Sequence, residues 1–140
     1  MSDSDLFKLY SQQILALAAT IPHTEPLPHP SASARKRAPL CGSTVEVTVQ
    51  LDGDRIAAFG QKVQACALGQ ASASIFGAQV LGLTRSEVAR LCAELEAMLA
   101  GGPVPAAPFA GYEVLQAARA YPNRHASILL APQATLAALS

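Results

Sequence analysis

Polar and apolar positions alternate strictly through residues 44–51. Val45, Val47, Val49 and Leu51 fall on one side, and Glu46, Thr48 and Gln50 on the other. A period of two marks a strand with one buried face. Asp52-Gly53-Asp54 then supplies a tight turn, with a residue that tolerates positive φ. Residues 55–60 read as the returning strand and 61–65 as a third, so the pattern predicts an antiparallel meander with Cys66 at its exit.

On either side of this block the period becomes helical. Leu6, Leu9, Tyr10, Ile14, Leu17 and Ala18 share one face of a helix predicted over residues 6–19, with Asp3 and Asp5 as capping groups and Pro22 as its stop. Residues 22–39 hold five prolines and two histidines and read as a long Pro-rich loop. After Cys66, residues 67–81 form a helix of small side chains ended by Gly82. Thr84 and Glu87 match a capping box, and Leu83 and Val88 the hydrophobic staple around it. Val88, Leu91, Cys92, Leu95, Met98 and Leu99 make the buried stripe of the helix that follows. A shorter helix is predicted over 112–121. A last one starts within 123–127 and runs toward Leu139, although Pro132 suits a first turn better than an interior. The expected fold is α+β: a three-stranded antiparallel sheet with an N-terminal helix and four C-terminal helices packed on it, in a single domain spanning residues 1–140.

Composition narrows the function. Of 140 residues, 51% are apolar and only 14% charged, which suits a chain with a sizeable core rather than a disordered one. Net charge is zero, so neither nucleic acid nor an anionic membrane is an expected partner. The run Arg35-Lys36-Arg37 is expected to be solvated within the Pro-rich loop. No apolar run reaches membrane-spanning length, and the acidic start of the chain lacks the basic region of a signal peptide. Three widely spaced cysteines argue against a disulfide framework and for a reducing, cytoplasmic setting.

Those cysteines differ in character. Cys66 stands where a strand gives way to a helix, and the free amides and dipole there favour a thiolate, the form that binds metal or attacks sulfur. Cys41 precedes Gly42, whose backbone can turn tightly or approach a ligand. Cys92 lies on an apolar helical stripe and reads as core. His125 is a candidate nitrogen ligand near the start of the last helix, though a lone histidine is more often a polar residue with ordinary partners; His23 and His29 sit in the loop. The common hydrolase, zinc-protease and phosphate-loop motifs are absent. The residues alone therefore lead to an α+β domain with a two-thiol site.

The segments Leu9-Tyr10, Leu40-Cys41-Gly42, Val49 to Asp54, and Cys66 followed by Gln70-Ala71-Ser72-Ala73-Ser74 occur in the order and at the intervals of a known family. The chain resembles the U-type iron–sulfur cluster assembly scaffolds (SufU, IscU and the NifU N-terminal domain), over about residues 6–139. In that family three cysteines, an aspartate and sometimes a histidine hold a nascent cluster or zinc. The resemblance implies Cys41 as the first cysteine and Cys66 as the second. The aspartate that should follow Cys-Gly is Ser43. The third cysteine should fall within residues 124–127. An IscU-like register sets His125 on the family histidine and Ala126 on the cysteine; a SufU-like register sets Ser127 on the cysteine. Cys92 matches neither, and Tyr121-Pro122-Asn123-Arg124 replaces the chaperone motif of the IscU branch.

The resemblance thus implies a non-enzymatic scaffold that binds iron, a labile iron–sulfur cluster or zinc through Cys41, Cys66 and His125 and delivers it to acceptor apoproteins. Its partners would be those apoproteins and a cysteine desulfurase, and it would act as a monomer or homodimer. The alternatives are a sulfur relay for the desulfurase, and an interaction protein on the same fold that holds no metal.

Overall fold

The computed structural model describes residues 11–40 and 42–140. Helix α1 (Gln12–Ala19) is followed by strands β1 (Ala32–Arg37), β2 (Thr44–Asp52) and β3 (Arg55–Gln64). Helices α2 (Ala67–Gln79) and α3 (Arg85–Leu99) come next, then a 3-10 helix over Ala110–Ala120, a 3-10 turn at Pro122–Arg124 and helix α4 (His125–Ala138). The sheet is antiparallel, in the order β1-β2-β3. The α+β class and its three-stranded antiparallel sheet are as the sequence predicts.

Two of the three strands are not the predicted ones. Residues 55–64 run as one strand, because Gly60 is not a break. It is a point of close approach, where a Cβ would come within 2.4 Å of the Glu25 carbonyl and 2.7 Å of Thr48 Oγ1. The third strand is β1, drawn from the stretch expected to be loop, and it carries Arg35-Lys36-Arg37. Its inward positions are only Ala32, Ala34 and Lys36, paired with Val49, Val47 and Val45. An edge strand whose inward residues are two alanines and a lysine gives almost no hydrophobic alternation to read. The rest of the Pro-rich stretch wraps the sheet. His23 O accepts from Gln61 N of β3 (2.7 Å), and Leu27 N donates to Thr48 Oγ1 (3.1 Å) on the outer face.

The core lies between the inner sheet face and the helices. Val45, Val47, Val49, Ile56 and Phe59 meet Leu68, Phe76, Leu95, Leu115, Ile128 and Leu130, all buried. The predicted stripe of α3 is buried at each of its six positions, and its capping box is formed. The described part of the first helix starts at Gln12 with Ser11 as N-cap; the predicted turns before it, with Asp3 and Asp5, lie outside the described residues. The helix predicted over 112–121 winds as 3-10. Its buried residues Tyr112, Leu115 and Ala118 are spaced by three, so three residues per turn set them in line.

Pro132 sits inside α4, against expectation. A proline there leaves the carbonyl four residues back, that of Ile128, without its helical donor. The Ser72 hydroxyl on α2 donates to that carbonyl at 2.5 Å, and Tyr112 Oη donates in turn to Ser72 O at 3.0 Å. A serine of the small-residue run thus supplies the donor that Pro132 lacks.

Candidate metal or sulfur site

Cys66 is the N-cap of α2, in extended conformation (φ −64°, ψ 169°), and its carbonyl accepts from Gln70 N at 2.9 Å. Its side chain makes no capping bond and turns instead toward α4. There Cys66 Sγ lies 3.4 Å from Ser127 Oγ, which donates to Ser43 Oγ at 3.2 Å. Ser127 and Ser43 are buried (1% and 4% exposed), whereas Cys66 is half-buried and reachable from outside.

Three elements converge here. Ser43 immediately precedes β2 and Cys66 follows β3 by two residues, and the pairing of Thr44 with Gln64 brings those strand ends together. Ser127 is the third residue of α4. Gly69, one turn into α2, leaves the room Ser127 needs: a Cβ there would come within 2.4 Å of Ser127 Oγ and 3.1 Å of its carbonyl. Gly42 has φ +71°, a left-handed turn that suits glycine, and the Ala38–Ser43 backbone bond (2.8 Å) closes the loop around it.

Cys41 itself lies outside the described residues. His125 is half-buried, and its Nε2 is 2.8 Å from the Ala118 carbonyl rather than bonded to the thiol group. Cys92 is buried in the core as expected, and burial pushes its thiol up to about 11, with Glu96 acting the same way and Lys36 against it. Among the described residues no three His, Cys, Asp or Glu side chains come together as a metal site. One thiol and two hydroxyls form the described centre, short of the four soft or borderline donors a tetrahedral iron or zinc site takes. Sequence reasoning weighed Ser43 and Ser127 only as departures from a pattern and passed over Gly69, whose one sign was its place in the small-residue run after Cys66.

The positions gathered here, Ser43, Cys66 and Ser127, are those the SufU-like register aligns with the aspartate, second cysteine and third cysteine. The chain as a whole is similar to proteins of known structure. It superposes on the crystal structure of a nitrogen-fixing NifU-like protein (N-terminal) from Brucella abortus with a TM-score of 0.93 and 34% identity, over 96% of this chain and 94% of that one. The chain belongs to the NifU-like family of U-type scaffolds. The same fold is found in a putative iron–sulfur cluster assembly scaffold protein for the SUF system from Fervidobacterium islandicum AW-1 (TM-score 0.82, 21% identity, 96% and 98% of the two chains). A hypothetical protein of known structure also shares it (TM-score 0.80, 26% identity, 95% and 98% covered). No protein-family model matches the sequence. No curated protein matches it either.

Proposed function

We propose that this protein is an iron–sulfur cluster assembly scaffold that takes iron or a labile cluster as cargo on Cys41 and Cys66 and passes it to acceptor apoproteins, with a cysteine desulfurase supplying sulfur. The observation that carries the reading is the meeting of Cys66 with Ser127 and Ser43 on the fold of a 34%-identical NifU-like protein. The two thiols hold the cargo, and His125 adds a nitrogen donor by exchanging the Ala118 carbonyl for the metal. Two hydroxyls where stronger ligands would stand keep the hold weak, which suits cargo that must leave. No step of this work is enzymatic.

Anaerobic reconstitution with iron and sulfide tests it. Wild type should develop a thiolate-to-iron absorption band and bind iron, and the Cys41→Ser/Cys66→Ser double variant should do neither. His125→Ala should weaken retention, and Ser127→Cys, which adds a thiol 61 positions from Cys66 in sequence but beside it in space, should tighten it by roughly tenfold or more. Equal absence of iron from wild type and double variant would sink the reading.

A second reading draws on the single described thiol among hydroxyls: Cys66 as a sulfur relay. In that case, incubation with a desulfurase and cysteine adds one sulfur atom to Cys66 without iron, seen by mass spectrometry.

A further inference from the structure

The chain is neutral overall, yet cations gather at one end of the sheet. At the hairpin end stand Asp52 and Asp54, exposed, with Glu87 nearby against Arg55 (3.7 Å). At the thiol end the outer face of the sheet presents two cross-strand rows. One is Arg35–Glu46–Lys62 and the other Arg37–Thr44–Gln64. Arg35, Glu46, Lys62, Arg37 and Gln64 are all exposed. Among the described residues the ion pairs are Arg55–Glu87 and Arg90–Glu94, so the charges of the first row are not spent on one another.

The wrap of residues 22–27 leaves these two rows open. It crosses the outer face one row further in, at Thr48 and Gly60, where Gly60 admits the Glu25 carbonyl. The second row adjoins the site directly, since Thr44 follows Ser43 and Gln64 is two residues from Cys66. Arg37 also reaches the loop of the other cysteine, its guanidinium lying 3.9 Å from where a Cβ on Gly42 would be.

We propose that this face, Arg35, Arg37 and Lys62 around Glu46, is the docking surface for the acidic surface of a partner protein that exchanges cargo or sulfur with the thiols. The proposal rests on the scaffold reading and adds to it the chemistry of the partner. On these two rows three cations stand against one carboxylate, with the exposed Glu25 of the wrap one row further in, and such an excess attracts an anionic surface and orients it before contact. Glu46 in the centre of the row favours a protein, whose acid-base-acid row can complement it, and opposes a phosphate backbone. Among the described residues these two rows also carry no aromatic side chain on which a nucleobase could stack.

The test uses two short synthetic peptides, one rich in glutamate and one in lysine. Each carries a single cysteine as its mixed disulfide with thionitrobenzoate. A protein thiolate attacks the peptide sulfur, the peptide–thionitrobenzoate bond breaks, and coloured thionitrobenzoate leaves with the electron pair; the peptide disulfide is the oxidant. At low salt the glutamate peptide should label Cys41 or Cys66 about tenfold faster than the lysine peptide, and near 1 M salt the two rates should converge. The variant Arg35→Glu/Arg37→Glu/Lys62→Glu should reverse the preference; Lys62→Glu alone, the milder change, should reduce it. Asp52→Lys/Asp54→Lys, at the far end, should leave it in place. Equal rates at low salt, or a preference that the cationic variants do not alter, would overturn the proposal. So would faster labelling by an oligonucleotide bearing the same activated disulfide. None of these rates depends on iron, so loss of the docking face and loss of the scaffold reading are told apart.

Discussion

A methyl group on residue 69 would stand 2.4 Å from Ser127 Oγ and 2.8 Å from Ala65 Cβ, closer than packed atoms come. Ser127 is at the buried start of α4 and has little freedom to withdraw. Gly69→Ala should therefore destabilise the fold by about 1–3 kcal/mol and part Ser127 from Cys66. A denaturant titration reads the first effect and iron retention the second; an alanine variant with wild-type values in both would show that α2 and α4 yield easily. At this scale Cys66 was legible in the sequence, from its place between a strand and a run of small residues. Ser127 was named in only one of two registers, because the decisive fact is helical phase. Moving a helix start by one residue turns each side chain by about 100°, and residues 125, 126 and 127 then point in different directions. Only the winding of α4 from His125 settles that Ser127 meets the thiol while His125 turns to Ala118.

Among the elements, α2 and α4 depend on each other through one hydroxyl. Removing it by Ser72→Ala strands the buried Ile128 carbonyl and should cost about 1–3 kcal/mol. Pro132→Ala restores an N–H four residues along, able to serve the same carbonyl, so Ser72→Ala should cost less in that background. A double-mutant cycle by chemical denaturation measures the difference, and additive losses would mean that the two residues act independently. The sequence marked Pro132 as awkward but could not show its remedy, which lies 60 residues away on another helix. The helices α2 and α3 were legible because their signals are local: a capping box, a staple and an apolar stripe. Strand β1 was not, since its inward residues, two alanines and an exposed lysine, bury little and the strand is held by pairing with β2 more than by its own composition.

For the molecule as a whole, buried protons set an alkaline limit. Burial pushes the Cys92 thiol up from its ordinary 9.0 to about 11. Burial also raises the Tyr112 phenol, with the Ser72 hydrogen bond opposing. The unfolded chain gives up these protons first. The stability the Cys92 proton contributes is whole below pH 9.0 and is lost as pH climbs through about 11, while the Tyr112 contribution begins to fall only above pH 10.0. Denaturation midpoints should fall steadily over that interval, and less steeply for Cys92→Val, which has no thiol to ionise. Equal slopes would place the alkaline sensitivity elsewhere.

The wrapping of β3 has a consequence for self-association. On its outer edge, Ile56 N donates to Leu83 O and Ile56 O accepts from Gly82 N, while Gln61 N is taken by His23 O. A further strand from another molecule finds those groups occupied. Among the described residues no strand pairs with the other side of β1, so growth of the sheet is left to that edge. There Arg35, Lys36 and Arg37 stand in succession, and an identical strand laid alongside would set like charges against like. That cationic run thereby opposes edge-to-edge growth of the sheet.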